Sequence, residues 1–305
     1  MAARLIDQDE RTRSKPMRIL VLGMCRTGTA SLSLALRKLG YSPYQMREVL
    51  ANPTDLALWQ EAINVTLVQP RDRSNAQRFL DPYAKPEFDK LLANHDVVMD
   101  IPGCIFAKEL VEAYPDSKVI LTTRKYEEWE RSMQDSLWCF CTWRLFAIAR
   151  YFNISKMAPL FRLMHSVFRA HNGNTYGGPE SKAAYEKHYD TVHSIVPKSQ
   201  LLEMNPDTSD WQPLCEFLDR KVPEGPFPRV NEETTMRKGL ESAWWGMFQF
   251  ALTMLAFPGG MLVLAFVFWQ NIEGVMGLGE EYVLLPMKGF VEEHVLALFK
   301  GYFVW

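Results

Sequence analysis

The chain has almost no net charge and little cysteine. Its 34 Lys and Arg stand against 36 Asp and Glu, a formal charge of −2 over 305 residues. That balance argues against a general nucleic-acid binder and leaves room only for a local basic pocket. The five cysteines, Cys25, Cys104, Cys139, Cys141 and Cys215, are odd in number, scattered, and contain no C-x-x-C pair. A zinc ribbon or a disulfide framework is excluded by that spacing, and buried reduced thiols are expected instead. Residues 1–16, MAARLIDQDERTRSKP, hold no apolar run of the kind a secretory signal needs, and this charged stretch is expected to be disordered. Internal repeats and low-complexity tracts are also missing.

Apolar residues, in contrast, are plentiful. They make up 48% of the chain, enough for one α/β domain of about 230–250 residues and an appendage. Met17–Leu22 is short and rich in Ile, Leu and Val, as a buried parallel strand is. Gly23 to Gly28 follow as a tight loop. A helix is predicted from near Thr29, with Leu32, Ala35, Leu36 and Leu39 at helical spacing and Gly40 as its C-terminal cap. Residues 43–93 read as mixed and mostly helical, punctuated by Pro53, Pro70, Pro82 and Pro86. Asp96–Met99 is a second strand ending at Asp100 and broken by Pro102-Gly103. A helix over Ile105–Ala113 leads to a third strand, Lys118–Thr122, which runs out near Arg124. The next helix carries Trp129, Met133 and Leu137 on one face. Residues 138–196 read as largely helical, Gln200–Met204 as a further strand, and Asp219–Asn231 as a Pro-rich loop. Strand and helix in alternation predict an α/β, three-layer P-loop domain with a parallel central sheet over residues 17–231.

Three features bear chemistry. Gly23-Met24-Cys25-Arg26-Thr27-Gly28-Thr29 lies between a strand and a helix, where backbone N–H groups and the positive helix end point at one spot, a setting for phosphate or sulfate. The Gly-Lys-Ser/Thr ending that ATP hydrolysis requires is absent, since Thr29 follows Gly28; the loop's cation is Arg26. A tight structural turn is the plainer alternative. Arg124, at a strand end, and Ser132, two turns into the following helix, could both reach one phosphate; an Arg124 pair with Glu127 or Glu128 is the alternative. Asp100 closes its strand among apolar neighbours and could accept a hydroxyl proton as a general base, or else cap the next turn or hold Mg²⁺. In a parallel sheet the carboxyl ends of all strands face one edge, so Arg26, Asp100 and Arg124 are expected to converge there.

The loop LGMCRTGTASLSLAL resembles the 5′-phosphosulfate loop of sulfotransferases that use 3′-phosphoadenosine-5′-phosphosulfate (PAPS), and TTRKYEEWERSM resembles their 3′-phosphate motif. MDIPGCIFAKELVEAYPDSKVILTTR and LLEMNPDTSDWQPLCEFLDRKVPEGPFPRVN are similar to the P-loop sulfotransferase-like family common in fungi and flatworms. The resemblance implies transfer of a sulfuryl group from PAPS to a hydroxyl of a small molecule; a metal is not expected, because a sulfuryl group carries less charge than a phosphoryl, and a membrane tether would suit a lipophilic acceptor. It implies that Arg26 holds the transferred group, that Thr27, Gly28, Thr29, Ala30 and Ser31 line the donor phosphosulfate, that Arg124 and Ser132 hold the 3′-phosphate, and that Asp100 is the base. One departure is Ala30, which stands where the family's loop has a second threonine. Arg237-Lys238-Gly239 is similar to a further 3′-phosphate grip and serves equally as a juxtamembrane basic pair. A nucleotide-dependent kinase or hydrolase and a non-catalytic, membrane-anchored nucleotide-binding protein are the competing readings.

Residues 242–272 contain no charged residue. About 20 apolar residues suffice to span a bilayer, so a C-terminal transmembrane helical segment is expected, with Trp244, Trp245 and Trp269 at its ends. Pro258-Gly259-Gly260 at its middle allow a kink or a re-entrant hairpin. Residues 232–241 are then a juxtamembrane linker and 273–305 a tail. Arg237 and Lys238 before the segment place the N-terminal domain in the cytosol, on the endoplasmic reticulum.

Overall fold

A computed structural model describes residues 4–143, 158–206 and 208–230, with a few positions between 241 and 261. The chain divides into two units, Met1–Trp244 and Trp245–Trp305.

The first unit is built on five parallel strands: β1 (Ile19–Val21), β2 (Pro43–Tyr44), β3 (Val97–Val98), β4 (Lys118–Thr122) and β5 (Leu201–Met204), in spatial order β2-β3-β1-β4-β5. β1, at the centre, is apolar throughout. Ile19, Leu20 and Val21 are each 1% exposed or less, as a strand covered on both faces requires. Ile19 and Val21 share a core with Val97, Met99, Ile120 and Met204. Covering that face are α1 (Thr29–Lys38), through Leu32, Ala35 and Leu36, and a C-terminal helix over Trp211–Leu218, through Trp211, Leu214 and Leu218. α1 stops where Gly40, at φ +87°, lets Tyr41 N–H reach Leu36 O (3.0 Å) and Gly40 N–H reach Arg37 O (3.0 Å), the paired bonds of a glycine-closed helix end.

The remaining helices are α2 (Met46–Ala51), α3 (Pro53–Ala62), α4 (Lys85–Leu91), α5 (Ala107–Ala113), α6 (Tyr126–Gln134), α7 (Cys139–Thr142), α8 (Ala158–Asn172), α9 (Gly178–Ile195) and the helix already met, α10 (Trp211–Leu218). α8 packs on α3 and on the turn Gly103–Phe106, and α9 packs on α5. The α/β class with a parallel sheet agrees with the sequence reading.

Some expectations need correction. β2 falls where only helix and turns were expected. A two-residue strand opened by Pro43 carries no periodic signal. The stretch expected to be disordered is instead packed down from residue 4. Ile6 is fully buried, and the Glu61 carboxylate, 3% exposed, accepts Leu5 N–H (2.7 Å) and Ile6 N–H (3.1 Å). Arg4 pairs with Glu87 at 2.8 Å and Arg11 with Asp55 at 2.9 Å. Two of its arginines thus find carboxylates far along the chain, the half-buried Glu87 and the buried Asp55.

Of the second unit, Trp245, Phe248, Leu252 and Met261 are exposed, and the Trp245 and Phe248 rings meet edge to face at 5.7 Å. Among the described residues no helix is long and apolar enough to cross a membrane. Most of the expected transmembrane segment, 242–272, lies outside the described residues, as do Arg237-Lys238-Gly239 and the tail.

Candidate functional site

The carboxyl edge of the sheet reverses direction at β1. From β1 the chain crosses to β2, and from β3 it crosses back over β1 to β4. Parallel α/β sheets open a crevice at such a point. Leu20 is level with Val98 and Val21 with Ile120. By the same register Leu22 and Asp100 emerge side by side, with β4 on the other flank.

The loop after β1 has its carbonyl groups tied down one after another. His188 Nε2–H donates to Leu22 O (2.7 Å), Thr27 Oγ1 to Met24 O (2.6 Å), Trp129 Nε1 to Cys25 O (2.8 Å) and Arg124 Nη1 to Arg26 O (3.1 Å). With those carbonyls held by side chains, and with Met24 N–H turned to Tyr189 Oη (3.4 Å), the amides nearer the helix start are the ones left to form an anion nest. Two left-handed residues, Arg26 at φ +67° and Gly28 at φ +86°, give the turn its curvature. The nest opens onto the start of the ten-residue α1, whose first N–H groups have no carbonyl partner within the helix. Gly23 is required for close approach. A Cβ there would lie 2.0 Å from Thr122 Oγ1 and 2.4 Å from Thr122 O, so nothing larger lets the loop lie against β4. Thr27 Oγ1 meets Thr122 Oγ1 at 2.5 Å.

Arg26, 7% exposed, reaches across to α6, where its Nε donates to Ser132 Oγ at 3.1 Å. Arg26, Arg124 and Ser132 therefore form one cluster of two guanidinium groups and a hydroxyl, in which Arg26 sits beside Ser132. The Arg124–Glu128 ion pair weighed as an alternative is also present, but loose, at 3.8 Å. Thr27 and Thr29 are buried and Ala30 is half-buried. Ser31 is buried, and its Oγ accepts Val230 N–H at 3.1 Å. That bond ties the helix start to the Pro-rich loop. Pro206 covers Gly28, where a Cβ would meet it at 3.0 Å.

Asp100 is half-buried and, like Arg26, non-glycine in the left-handed region, at φ +63°. Such a backbone costs roughly 1–3 kcal/mol and is found where the surroundings force it. Its Oδ1 accepts Ile101 N–H at 2.8 Å and its carbonyl accepts Cys104 N–H at 2.8 Å. These two bonds fix the carboxylate relative to the turn through the cis peptide Ile101–Pro102. Burial first, then the charge of Asp100, pushes the Cys104 thiol up, while a hydrogen bond with the Cys25 backbone opposes the shift. The turn after Asp100 and the loop after β1 are thus in contact.

None of the five cysteines is in a disulfide, and all but the half-buried Cys141 are buried. Among the described residues no group of three or more His, Cys, Asp or Glu side chains could hold a metal ion.

Sequence reasoning missed Tyr185, His188 and Tyr189, which hold backbone carbonyls around the loop, and Thr122, whose hydroxyl meets Thr27 Oγ1, and it read Trp129 as plain core. Their partners are distant in sequence, and composition and spacing give no signal for them.

A family model described as a sulfotransferase domain matches residues 18–236. The protein "Ava biosynthesis cluster protein M" of Aspergillus versicolor is 36% identical over 234 residues, covering 75% of this chain and 86% of that one. The chain belongs to the sulfotransferase domain family.

Proposed function

We propose that this family member transfers a sulfuryl group from PAPS to a hydroxyl of a small-molecule acceptor, with Asp100 as general base. The reading is carried by the nest, its carbonyls held by side chains, beside the Arg26–Ser132–Arg124 cluster. An adenosine bearing phosphate at 3′ and phosphosulfate at 5′ presents two separated anionic groups. Thr27, Gly28, Thr29, Ala30 and Ser31 would line the 5′ group, and Arg124 and Ser132 the 3′-phosphate. Arg26 stands between them and answers to both.

In the transfer the acceptor oxygen attacks sulfur in line with the bridging S–O bond. A new O–S bond forms as the bridging bond breaks, and the leaving group departs as adenosine 3′,5′-bisphosphate. The nest amides and Arg26 stabilise charge on the leaving oxygen. The acceptor proton passes to the Asp100 carboxylate, which Ile101 N–H holds in a fixed orientation. A small-molecule acceptor suits a chain whose relative is named for a biosynthesis cluster. A membrane tether through residues 242–272, with the family domain in the cytosol, is supported by the uncharged run and by exposed Trp245, Phe248, Leu252 and Met261. Such a tether would favour a lipophilic acceptor, and its test is whether full-length protein stays with membranes through alkaline extraction.

The function is tested by incubating the purified full-length chain with labelled PAPS and a small-molecule extract. Transfer of label is expected, and Asp100→Asn should cut turnover by about 10²–10⁴-fold while donor affinity stays unchanged. A chain that neither binds PAPS nor transfers label would sink the reading; full activity in Asp100→Asn would remove that carboxylate from the mechanism.

A further inference from the structure

We propose that α9 is a brace for the donor loop, with Tyr185, His188 and Tyr189 as positioning residues; this rests on the donor reading above. The three lie at i, i+3 and i+4, so they share one helix face. Each ends on a backbone carbonyl at the carboxyl edge of the sheet. Tyr185 Oη donates to Arg124 O (2.8 Å), His188 Nε2–H to Leu22 O (2.7 Å) and Tyr189 Oη to Thr122 O (2.8 Å). Tyr189 Oη also accepts Met24 N–H at 3.4 Å.

These four backbone groups bracket the donor machinery. Leu22 and Met24 flank Gly23 at the entrance to the nest. Thr122 supports Thr27 through its hydroxyl, and Arg124 carries one of the two guanidinium groups. They also lie at or just past the ends of β1 and β4, where the strand ladder can no longer pair them. Buried carbonyls without partners are costly, and α9 supplies the donors that longer strands would have supplied. Moving one donor frees a carbonyl to turn inward, where it would face an anion.

The chemistry of the three side chains suits fixed bracing. A carbonyl only accepts, so His188 carries its proton on Nε2. The groups that face it are the His171 ring at 5.8 Å, the Tyr189 ring at 5.7 Å and the Leu22 carbonyl. Burial favours the neutral imidazole, and burial likewise raises the Tyr185 and Tyr189 hydroxyls. All three remain neutral donors across the ordinary pH range. Their rings also stack, Tyr185 on Tyr189 at 4.6 Å and Tyr185 on Trp129 at 4.5 Å. The brace is thereby continuous with the Trp129 that holds Cys25 O.

The test uses the full chain with Tyr185→Phe, Tyr189→Phe, His188→Leu and His188→Gln. Calorimetry with adenosine 3′,5′-bisphosphate should show affinity weakened by about five- to tenfold in the two Phe variants and in His188→Leu. His188→Gln, which keeps an N–H donor, should restore most of it. Turnover should fall in parallel while acceptor KM holds, and amide hydrogen exchange over residues 19–31 should quicken without general loosening. Should His188→Leu fail to fold, the Phe variants decide, since each removes one oxygen. Affinity within about twofold of wild type and unchanged exchange in both Phe variants would overturn the brace. If the wild type does not bind the bisphosphate, the donor reading is what fails, and loop exchange in the variants decides the brace alone.

Discussion

The loop after β1 and the helices beside it treat their polar groups in opposite ways. At the loop, the carbonyls of Leu22, Met24, Cys25 and Arg26 each accept a side-chain donor. Beside α7 and on α8 the reverse holds. Both ring nitrogens of His171, Nε1 of Trp138 and Oδ1 of Asn172 are buried and have no hydrogen-bond partner among the described residues. An unmet buried polar group costs about 1–3 kcal/mol. The loop side is therefore preorganised, its carbonyls held in place by side chains, while part of the helical side leaves buried polar atoms without a protein partner. Rigidity and residual polarity meet across two elements, where the His188 ring of α9 lies 5.8 Å from the His171 ring of α8.

Substitutions at four positions probe that contrast. The largest effect is expected at Arg26, which joins the loop to α6. Arg26→Met should reduce kcat/KM by about 10²–10³-fold, the scale of losing one preorganised charge donor, and Arg26→Lys should recover only part, because the bond from Nε to Ser132 needs the guanidinium. Steady-state kinetics with PAPS as the varied substrate reads both. Gly23→Ala comes next. Its Cβ has no space against Thr122, and overpacking of about 1–3 kcal/mol or more should appear as a lowered denaturation midpoint.

His171 tests the unmet side. Burial, helped by the neighbouring His188, pushes its imidazole down from 6.5 to about 3. Below 6.5 the unfolded chain takes up a proton that the folded chain refuses, so stability rises with pH across this window and is lost as pH falls. The loss is about 1.4 kcal/mol per pH unit, or about 2 kcal/mol at pH 5. Thermal melts from pH 7 to 4.5 should show the decline, and His171→Leu should flatten it; an unaltered slope would place the acid sensitivity elsewhere. The smallest effect is expected from Trp129→Phe, which keeps the ring stack but drops the bond to Cys25 O. It should cost about 1 kcal/mol in donor affinity, together with a lowered melting temperature from the space left by the buried indole.

Much of the site was legible from residue order. β4 spans Lys118–Thr122 as its apolar run predicted, and the Gly23–Gly28 turn, the α1 start and the Gly40 helix end lie where glycine chemistry placed them. Arg26, Arg124 and Ser132 could be gathered at one edge because a parallel sheet leaves few other arrangements. The brace could not be seen that way. Tyr185, His188 and Tyr189 have the spacing of an ordinary buried stripe, and only three dimensions show that each ends on a carbonyl. The N-terminal stretch misled for a related reason. Charge density resembles disorder unless the carboxylates that receive it, Glu87 and Asp55, are known to be waiting.

That stretch sets where the folded body begins. The family match starts at residue 18, yet Ile6 is sealed inside and Glu61, shared with the Tyr83 hydroxyl at 2.7 Å, takes both amides above it. A chain trimmed to the matched boundary would start with an empty socket and a stranded anion beneath it. Any tag fused ahead of Arg4 would instead hang from a firmly stitched seam.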